Sequence, residues 1–384
     1  MQGRFKNRPG RPSALHAGEM VQVLSFGEIA ATLDERGEME GVPFMPEMLA
    51  YCGKRFEVWK RAHKTCDEGA GGVIRHVQNA VHLKELRCSG EAHRGCDSGC
   101  LFFWKEQWLR RVSTEFADEN DRHGTEFSVL GKEADAERRA LERIRRATRV
   151  ENSAADGEEL FSCQTTEIAR FSQPLPWWDV RQYVRDLQAG NVTAGEFVRG
   201  ISVGLISKIR RWMGRPDFRR VRGLNTQTPR DNLNLSPGDL VQIKPKEEIV
   251  ATLDHRGKNR GLSFRAAMTP YCGKQFRVVR RVAKIVDPQS RRLRSLGENS
   301  VILDGVVCQG SMRRFCPRMV YTYWRDVWLT KVVASEAETA GVVASGQGLP
   351  VAVPEAAAAA AMWFSRPEPK TGQPAGEPQT RTTT

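Results

Sequence analysis

Cysteine is the residue type in this chain with the clearest potential for chemistry. Four of the nine cysteines fall in two short segments, H-K-T-C-D (63–67) and R-C-S-G-E-A-H-R-G-C-D-S-G-C (87–100). Four thiolates can close a tetrahedral zinc site, and the glycines of the second segment would let a loop wrap around an ion. The sequence therefore predicts a metal site, zinc rather than an iron–sulfur cluster. Its ligands would be Cys66, Cys88, Cys96 and Cys100, with His63 and His93 nearby.

Two other interpretations of these thiols stay open. The spacing C-x21-C-x7-C-x3-C lacks the paired C-x2-C knuckles that are typical of zinc sites. A later segment of the chain, described below, has Val286 and Val320 at the positions that correspond to Cys66 and Cys100. Free cysteine packs like a small hydrophobe, so these thiols also suit an inert core or a redox pair.

The chain contains one sequence unit twice. Residues 18–112 and 238–332 align without a gap at an offset of 220, with 34 identical positions in 95. Both units carry E-I-x-A-T-L-D-x-R-G, Y-C-G-K and W-x-x-x-W-L. Agreement without gaps implies that both units keep the same loop lengths, so we expect a duplicated fold. Below, residues 18–112 are the first copy and residues 238–332 are the second copy.

Short alternating runs rich in Val, Ile and aromatic residues predict that each copy is built of β-strands. The runs V-Q-V, F-E-V-W-K-R-A and V-H-L are bounded by Gly, Asp and Asn, which is the pattern of strands and turns. About five strands in such a length favour a small, mostly antiparallel β-barrel.

The opening phrase G-(D/E)-x-V-Q-(V/I) resembles the first strand of SH3-like barrels. The whole unit, with its Y-C-G-K and W-x-x-x-W-L landmarks, resembles an uncharacterised bacterial family with a duplicated unit of this kind. The resemblance implies an SH3-like fold class and no activity. We therefore expect an α+β protein with two small β-barrels joined by a helical linker.

The domain plan follows from composition. Residues 1–17 form a basic arm, 113–237 a helical linker region, and 333–384 an Ala-, Pro- and Thr-rich tail expected to be disordered. In the linker, residues 132–149 predict a solvated spacer helix. A second helix is expected to bury an apolar face, and T-A-G-E at 193–196 is a capping box for a third. The expected buried face of the second helix is Trp178, Val180, Tyr183, Val184 and Leu187.

No known catalytic phrase identifies a reaction, and enzyme activity stays undecided. The sequence lacks G-x-S-x-G, P-loop, H-E-x-x-H and G-x-G-x-x-G motifs. Asp34 and Asp254 recur in both copies, and we expect each to hold its own turn rather than to act as a catalyst. Cys52 and Cys272, in the repeated Y-C-G-K, are expected to be packed thiols. A thiolate metal site with an open position in the first copy is the most economical enzyme hypothesis.

The net charge of +13 is carried by one part of the chain. The first copy sums to −1 and the second to +11, whereas residues 208–332 together sum to +17. This segment predicts binding of an acidic protein or a nucleic acid, with an anionic membrane surface as a further possibility. The candidate contact residues are Lys208, Arg210, Arg211, Arg215, Arg219, Arg220, Arg291, Arg292 and Arg294.

These features together favour a non-catalytic binding or scaffold protein in which the second copy presents a basic surface to an acidic partner. Nucleic-acid binding through residues 208–332 is the first alternative, and a metal-dependent enzyme or accessory protein is the second. The chain has no apolar run long enough to span a membrane and no secretory signal, and it has an odd number of cysteines. A cytoplasmic location is therefore expected.

Overall fold

The computed structural model describes residues 14–112, 132–150, 158–214, 221–297, 299–310 and 313–332. These residues form a mixed α+β structure with mostly antiparallel sheets and few helices, as the sequence predicts. The SH3-like class of the two copies stays a prediction. The tail, most of the arm, and Arg215, Arg219 and Arg220 of the basic run lie outside the described residues.

The elements of the first copy are β1 (Met20–Val23), α1 (Phe26–Ala30), β2 (Glu38–Met39), β3 (Val42–Pro43), a 3-10 helix (Pro46–Tyr51), β4 (Arg55–Arg61), β5 (Lys64–Asp67), β6 (Val73–Val77), β7 (Ala80–Leu83), a 3-10 helix (Glu91–His93), β8 (Trp104–Lys105), a 3-10 helix (Glu106–Trp108) and β9 (Leu109–Arg111). Five of the strands form an antiparallel sheet in the order β8-β7-β4-β1-β9. A separate three-stranded sheet joins β5 and β6 to a strand of the linker region, β10 (Ser172–Pro174).

The linker region carries α2 (Lys132–Ala147), α3 (Ile168–Phe171), β10 (Ser172–Pro174), α4 (Arg181–Gln188) and α5 (Ala194–Trp212). The elements of the second copy are β11 (Leu240–Ile243), α6 (Lys246–Val250), β12 (Lys258–Asn259), β13 (Leu262–Ser263), a 3-10 helix (Ala266–Tyr271), β14 (Gln275–Arg281), β15 (Lys284–Val286), β16 (Leu293–Ser295), β17 (Ser300–Val307), β18 (Tyr321–Arg325), a 3-10 helix (Asp326–Trp328) and β19 (Leu329–Lys331). Five of its strands form a sheet in the order β18-β17-β14-β11-β19.

Strand pairs of the two copies fall at corresponding positions. Val21 pairs with Phe56 in the first copy, and Val241 pairs with Phe276 in the second. Each residue of the second pair lies 220 positions after its counterpart in the first pair. The side chains that recur in both copies explain this agreement. The indole of Trp108 donates to the Thr32 hydroxyl at 3.0 Å, and the corresponding indole in the second copy donates to the Thr252 hydroxyl at 2.9 Å. The repeated T-L-D and W-x-x-x-W-L phrases therefore meet in space.

The repeated aspartates hold turns, as expected from the sequence. One carboxylate oxygen of Asp34 accepts the backbone N–H groups of Arg36 and Glu38, each at 2.9 Å. The carboxylate of Asp254 accepts the corresponding two N–H groups in the second copy, at 2.8 and 2.9 Å. Each carboxylate satisfies two backbone donors of its own turn, which is the structural role that Asp favours in this position.

Each copy has its own apolar core around a pair of tryptophans. Trp104 and Trp108 lie in the first core and Trp324 and Trp328 in the second. The linker region contributes to the first core, because Ile144 of α2 is buried within it. The expectation that residues 132–149 form a solvated spacer was therefore wrong: the thin apolar face is enough to dock the helix.

The predicted buried face of α4 was also wrong. The predicted side chains Trp178, Val180, Val184 and Leu187 are exposed, whereas Gln182 and Asp186 are buried. The physical reason is charge: the Asp186 carboxylate contacts the buried ammonium of Lys64 in β5. A fully buried cation requires a paired anion, and this requirement outweighs the burial of a few aliphatic side chains.

We expect Asp186→Asn to lower the free energy of unfolding by about 3–5 kcal/mol, because it leaves the ammonium of Lys64 buried without a counter-charge. Urea denaturation followed by tryptophan fluorescence measures this change. The control is Asp179→Asn, the same chemical change at the start of the same helix, where the carboxylate contacts only the exposed Arg181. The control should leave stability close to that of the unchanged protein, and equal losses in both variants would contradict the assigned pair.

Candidate functional site

The four cysteines predicted to be metal ligands lie in different surroundings. Each has its own neighbours: Cys88 has Glu47 and His93, Cys66 has Cys316, Cys96 has the amide of Val286, and Cys100 has the hydroxyl of Thr165. Among the described residues, no three of these four sulfur atoms lie within 4.8 Å of one another. One of the four, Cys88, lies beside a carboxylate and an imidazole.

Where the two copies meet, a loop of each copy contacts the other copy. The backbone N–H of Val286 in the second copy donates to the sulfur of Cys96 in the first, at 3.2 Å. The backbone N–H of Cys66 in the first copy donates to the sulfur of Cys316 in the second, also at 3.2 Å. The two donors, Cys66 and Val286, occupy corresponding positions at an offset of 220, and so do the two acceptors, Cys96 and Cys316. The same contact is therefore made twice, once in each direction between the copies.

Two glycines give both loops their shape. Gly90 has a φ of +83°, and a Cβ there would lie 1.9 Å from the carbonyl oxygen of Cys96. Gly310 has a φ of +70°, and a Cβ there would lie 2.2 Å from the carbonyl oxygen of Cys316. A side chain cannot be accommodated at either position, so the glycine that recurs in both copies is required for each loop to fold back on itself.

Cys66 and Cys316 form a buried pair of unequal thiols. The hydrogen bond from Cys316 is the main cause that lowers the pKa of Cys66 to about 6, and the nearby Arg318 guanidinium lowers it further. The same hydrogen bond is the main cause that raises the pKa of Cys316.

The guanidinium of Arg318 ties this pair to both copies and to the linker. It donates to the carbonyl oxygen of Cys66 and to the hydroxyl of Thr165, each at 2.9 Å, and lies 3.9 Å from the carboxylate of Glu68. The side chain of Arg318 is almost completely buried. A buried guanidinium requires negative charge nearby, and the carboxylate of Glu68 supplies it.

The remaining cysteines with shifted pKa values are desolvated thiols. Burial raises the pKa of Cys52, Cys163 and Cys272 to about 11 each. Burial also raises the pKa of Cys88 and of Cys100 above the ordinary value. Cys52 and Cys272 pack against the two cores, as expected from the sequence.

Glu47, Cys88 and His93 form a compact group in the first copy. One carboxylate oxygen of Glu47 accepts from the Cys88 thiol at 3.6 Å and lies 3.9 Å from Nδ1 of His93. The ligand atoms of all three residues lie within 4.8 Å of one another. The group is positioned by two 3-10 helices, since Glu47 lies in Pro46–Tyr51 and His93 ends Glu91–His93.

The basic residues of the R-R-L-R segment are used inside the chain. Arg291 lies 3.2 Å from the carboxylate of Glu167, and Arg292 lies 2.8 Å from the carboxylate of Glu158. Both acids belong to the linker region. Arg294 is exposed. Two of the three arginines thus contact acids of the linker region.

Many exposed apolar side chains lie on α4, on the segment just before it and on α5. The capping box predicted at the start of α5 is present, because Thr193 and Glu196 exchange side-chain and backbone hydrogen bonds. The helix, however, turns most of its apolar residues outward. The exposed side chains, called the α4–α5 surface below, are Trp177, Trp178, Val180, Val184, Leu187, Val198, Ile201, Leu205, Ile209 and Trp212.

The cations of the basic run that the structure describes lie at one end of this surface. The ammonium of Lys208 lies 3.2 Å from the ring centroid of Trp177, so the end of α5 lies beside the start of α4. Arg210 follows on the same helix and is half-buried; Arg211 also belongs to α5, although its side chain is outside the described set. Within the described residues, no helix is long and apolar enough to cross a bilayer.

Sequence reasoning did not identify Glu47, Glu167, Asp186 or Arg318. For Glu47 a signal existed: the second copy has Ala267 and Arg313 where the first has Glu47 and His93, so the two residues are replaced together. The other three pair with distant residues of ordinary composition, which no local spacing reveals.

Comparison with known proteins adds no family: no family model, no curated protein and no solved structure matches the chain.

We expect one thiolate of the native protein to titrate well below the ordinary cysteine pKa of about 8.5, because Cys66 accepts a hydrogen bond from Cys316. The far-ultraviolet absorbance of thiolate, followed against pH in reduced protein, measures it. Cys66→Val should remove this transition. Valine is the residue that the second copy has at the same position, so the change is matched in volume and in fold.

Val286→Cys is the complementary variant. It places a thiol beside Cys96 in the second of the two equivalent contacts, and we expect a second low-pKa thiolate in the same titration. A titration of the unchanged protein with no transition below pH about 8 would contradict the assigned pair.

Proposed function

We propose that this chain is a non-catalytic binding or scaffold protein that uses two SH3-like domains as a rigid base. Its docking site is the α4–α5 surface, and its partner is an amphipathic helix that carries acidic side chains. The observation that carries the proposal is a row of exposed apolar side chains along α5, with the ammonium of Lys208 beside Trp177. Soluble proteins rarely expose large side chains in such number without a binding role.

The stripe on α5 has the spacing of a helix-packing seam. Val198, Ile201, Leu205, Ile209 and Trp212 are separated by three, four, four and three residues, so they lie along one side of the helix. The opposite side holds α5 on the protein: Ser207 is buried, and a Cβ at Gly200 would lie 2.3 Å from the ring of Phe315. A helix that is already docked and still presents a complete seam suits a helical ligand.

The tryptophans indicate where such a ligand would gain most binding energy. Trp178 is 67% exposed and Trp212 is 89% exposed, and Trp177 lies between α4 and the ammonium of Lys208. Tryptophan is the residue most enriched among interface side chains that dominate binding energy. Burial of these three indoles would desolvate Lys208 at the same time.

The charge at the end of the surface favours an acidic partner. Lys208 and Arg210 are described there, and the run continues in sequence through Arg211, Arg215, Arg219 and Arg220. In contrast, Arg291 and Arg292 of the second copy already contact linker carboxylates. The proposal therefore moves the contact from the R-R-L-R segment to the end of α5.

A protein partner is favoured over a nucleic acid because most of the surface is aliphatic. Nucleic-acid interfaces are more polar and far more positively charged, and they gain affinity from phosphate contacts. Val180, Val184, Ile201 and Leu205 offer neither phosphate contacts nor stacking faces. RNA, DNA and anionic membranes are kept as outcomes of the test.

We expect Leu205→Glu to weaken partner binding at least about 10-fold, because it places a charge in the centre of the seam. The immobilised chain is offered nuclease-treated cell extract, and captured proteins are quantified by mass spectrometry. A protein lost by the variant is then purified, and its affinity is measured by calorimetry for both chains at low and high salt. The control is Leu224→Glu, the same change at a side chain that is fully exposed and outside the α4–α5 surface.

The expected result is an acidic protein retained by the unchanged chain and by the control, lost by Leu205→Glu, and bound more weakly at high salt. Identical capture by all three chains would contradict the proposal. So would equal or tighter binding, sensitive to Leu205→Glu, of single-stranded RNA, duplex DNA or phosphatidylserine vesicles, which would assign the surface to one of those ligands instead.

A further inference from the structure

Glu47 is a buried carboxylate without an adequate counter-charge. Its side chain is 8% exposed, and its Oε2 atom is inaccessible to solvent and has no hydrogen-bond partner among the described residues. Its Oε1 atom accepts from the N–H of Ala92 at 3.2 Å and from the thiol of Cys88 at 3.6 Å. Burial of an ionised carboxylate is costly unless a cation or several donors compensate it.

The neighbouring histidine offers a lone pair rather than a proton. Nε2 of His93 lies 3.3 Å from the carbonyl oxygen of Ser162, which can only accept, so Nε2 carries the hydrogen. In the neutral ring, Nδ1 then presents its lone pair toward the Glu47 carboxylate, 3.9 Å away. A backbone carbonyl that holds the outer N–H of a histidine is the usual support of a metal-binding imidazole.

The distances between these atoms suit one small ion. Zinc bonds of about 2.0–2.3 Å in a tetrahedron separate neighbouring ligand atoms by roughly 3.3–3.7 Å. The carboxylate oxygen lies 3.6 Å from the sulfur of Cys88 and 3.9 Å from Nδ1 of His93. Ligand atoms at these separations can close on a common centre with small side-chain movements.

We propose that Glu47, Cys88 and His93 form a binding site for a zinc-class divalent cation. Oxygen, thiolate sulfur and imidazole nitrogen together are the donor set of such ions, and three protein ligands leave one coordination position for water or another ligand. Cys88 belongs to the four ligands predicted from the sequence, whereas Glu47 replaces the other thiols as the anionic partner.

The backbone holds the site in place before any ion binds. The carbonyl oxygen of Gly90 accepts the N–H groups of His93, Gly95 and Cys96, at 3.0, 2.9 and 3.2 Å. His93 also packs edge-on against Phe161, with ring centroids 5.9 Å apart. Because the loop and the ring are fixed, a metal would meet an organised site and need not order one.

The second copy supplies a natural comparison. It keeps Cys308 at the position of Cys88 but has Ala267 and Arg313 in place of the carboxylate and the imidazole. We therefore expect a single site per chain, located in the first copy.

The test is titration of chelator-treated, reduced protein with Co²⁺ under anaerobic conditions, followed by Zn²⁺. We expect one equivalent of Co²⁺ to produce the visible bands of a tetrahedral site with a sulfur-to-metal charge-transfer band, and one equivalent of Zn²⁺ to remove them. Cys88→Ser should abolish the charge-transfer band, and Cys308→Ser should leave it unchanged. The double variant Glu47→Ala with His93→Arg, which copies the second copy, should weaken Co²⁺ binding by more than about 100-fold.

Near-ultraviolet circular dichroism confirms that each variant is folded. Absence of a stoichiometric tetrahedral spectrum in the unchanged protein would overturn the proposal, as would a charge-transfer band that survives Cys88→Ser. The outcome is independent of the partner proposed above, because none of the three ligands belongs to the α4–α5 surface.

Discussion

The contact between a loop sulfur of one copy and a backbone amide of the other is the constraint on which the rest of the structure depends. It is made twice, by Cys96 with Val286 and by Cys316 with Cys66. Because a loop of each copy makes its sulfur contact in the other copy, the two copies are not independent domains joined by a linker. The Cys66–Cys316 pair takes its position directly from this contact, because one of its residues belongs to each copy.

Carboxylates of the linker supply the negative charge that cations of the two copies need. Buried or half-buried cations of both copies face the interior of the assembly, and linker carboxylates contact them: Asp186 contacts Lys64, and Glu167 contacts Arg291. These polar contacts hold the linker against the copies together with apolar side chains of the linker, Ile144, Ile168 and Phe171, which are buried in the first core. An amphipathic helix ordinarily buries its apolar face. Here the polar face of α4 is buried, and Val180 and Val184 are exposed.

This reversal explains how far the sequence could lead. Local patterns predicted the strands, the turns at Asp34 and Asp254, and the capping box at Thr193, because each depends on residues that are neighbours in the chain. The helices of the linker were predicted, but the buried side of α4 was not, because periodicity cannot show that Lys64 lies opposite it. The close neighbours of Cys88, Cys66 and Cys96 could not be predicted from spacing either, since Glu47, Cys316 and Val286 are distant in the chain.

Duplication accounts for the different use of equivalent positions. The loop that carries His93 in the first copy carries Arg313 in the second, and the guanidinium of Arg313 donates to the carbonyl oxygen of Gly72 across the interface at 3.0 Å. One position thus presents an imidazole to Glu47 in one copy and fastens the two copies together in the other. A fold that occurs twice in one chain can keep its packing residues in both places while a pair such as Glu47 and His93 is kept in one.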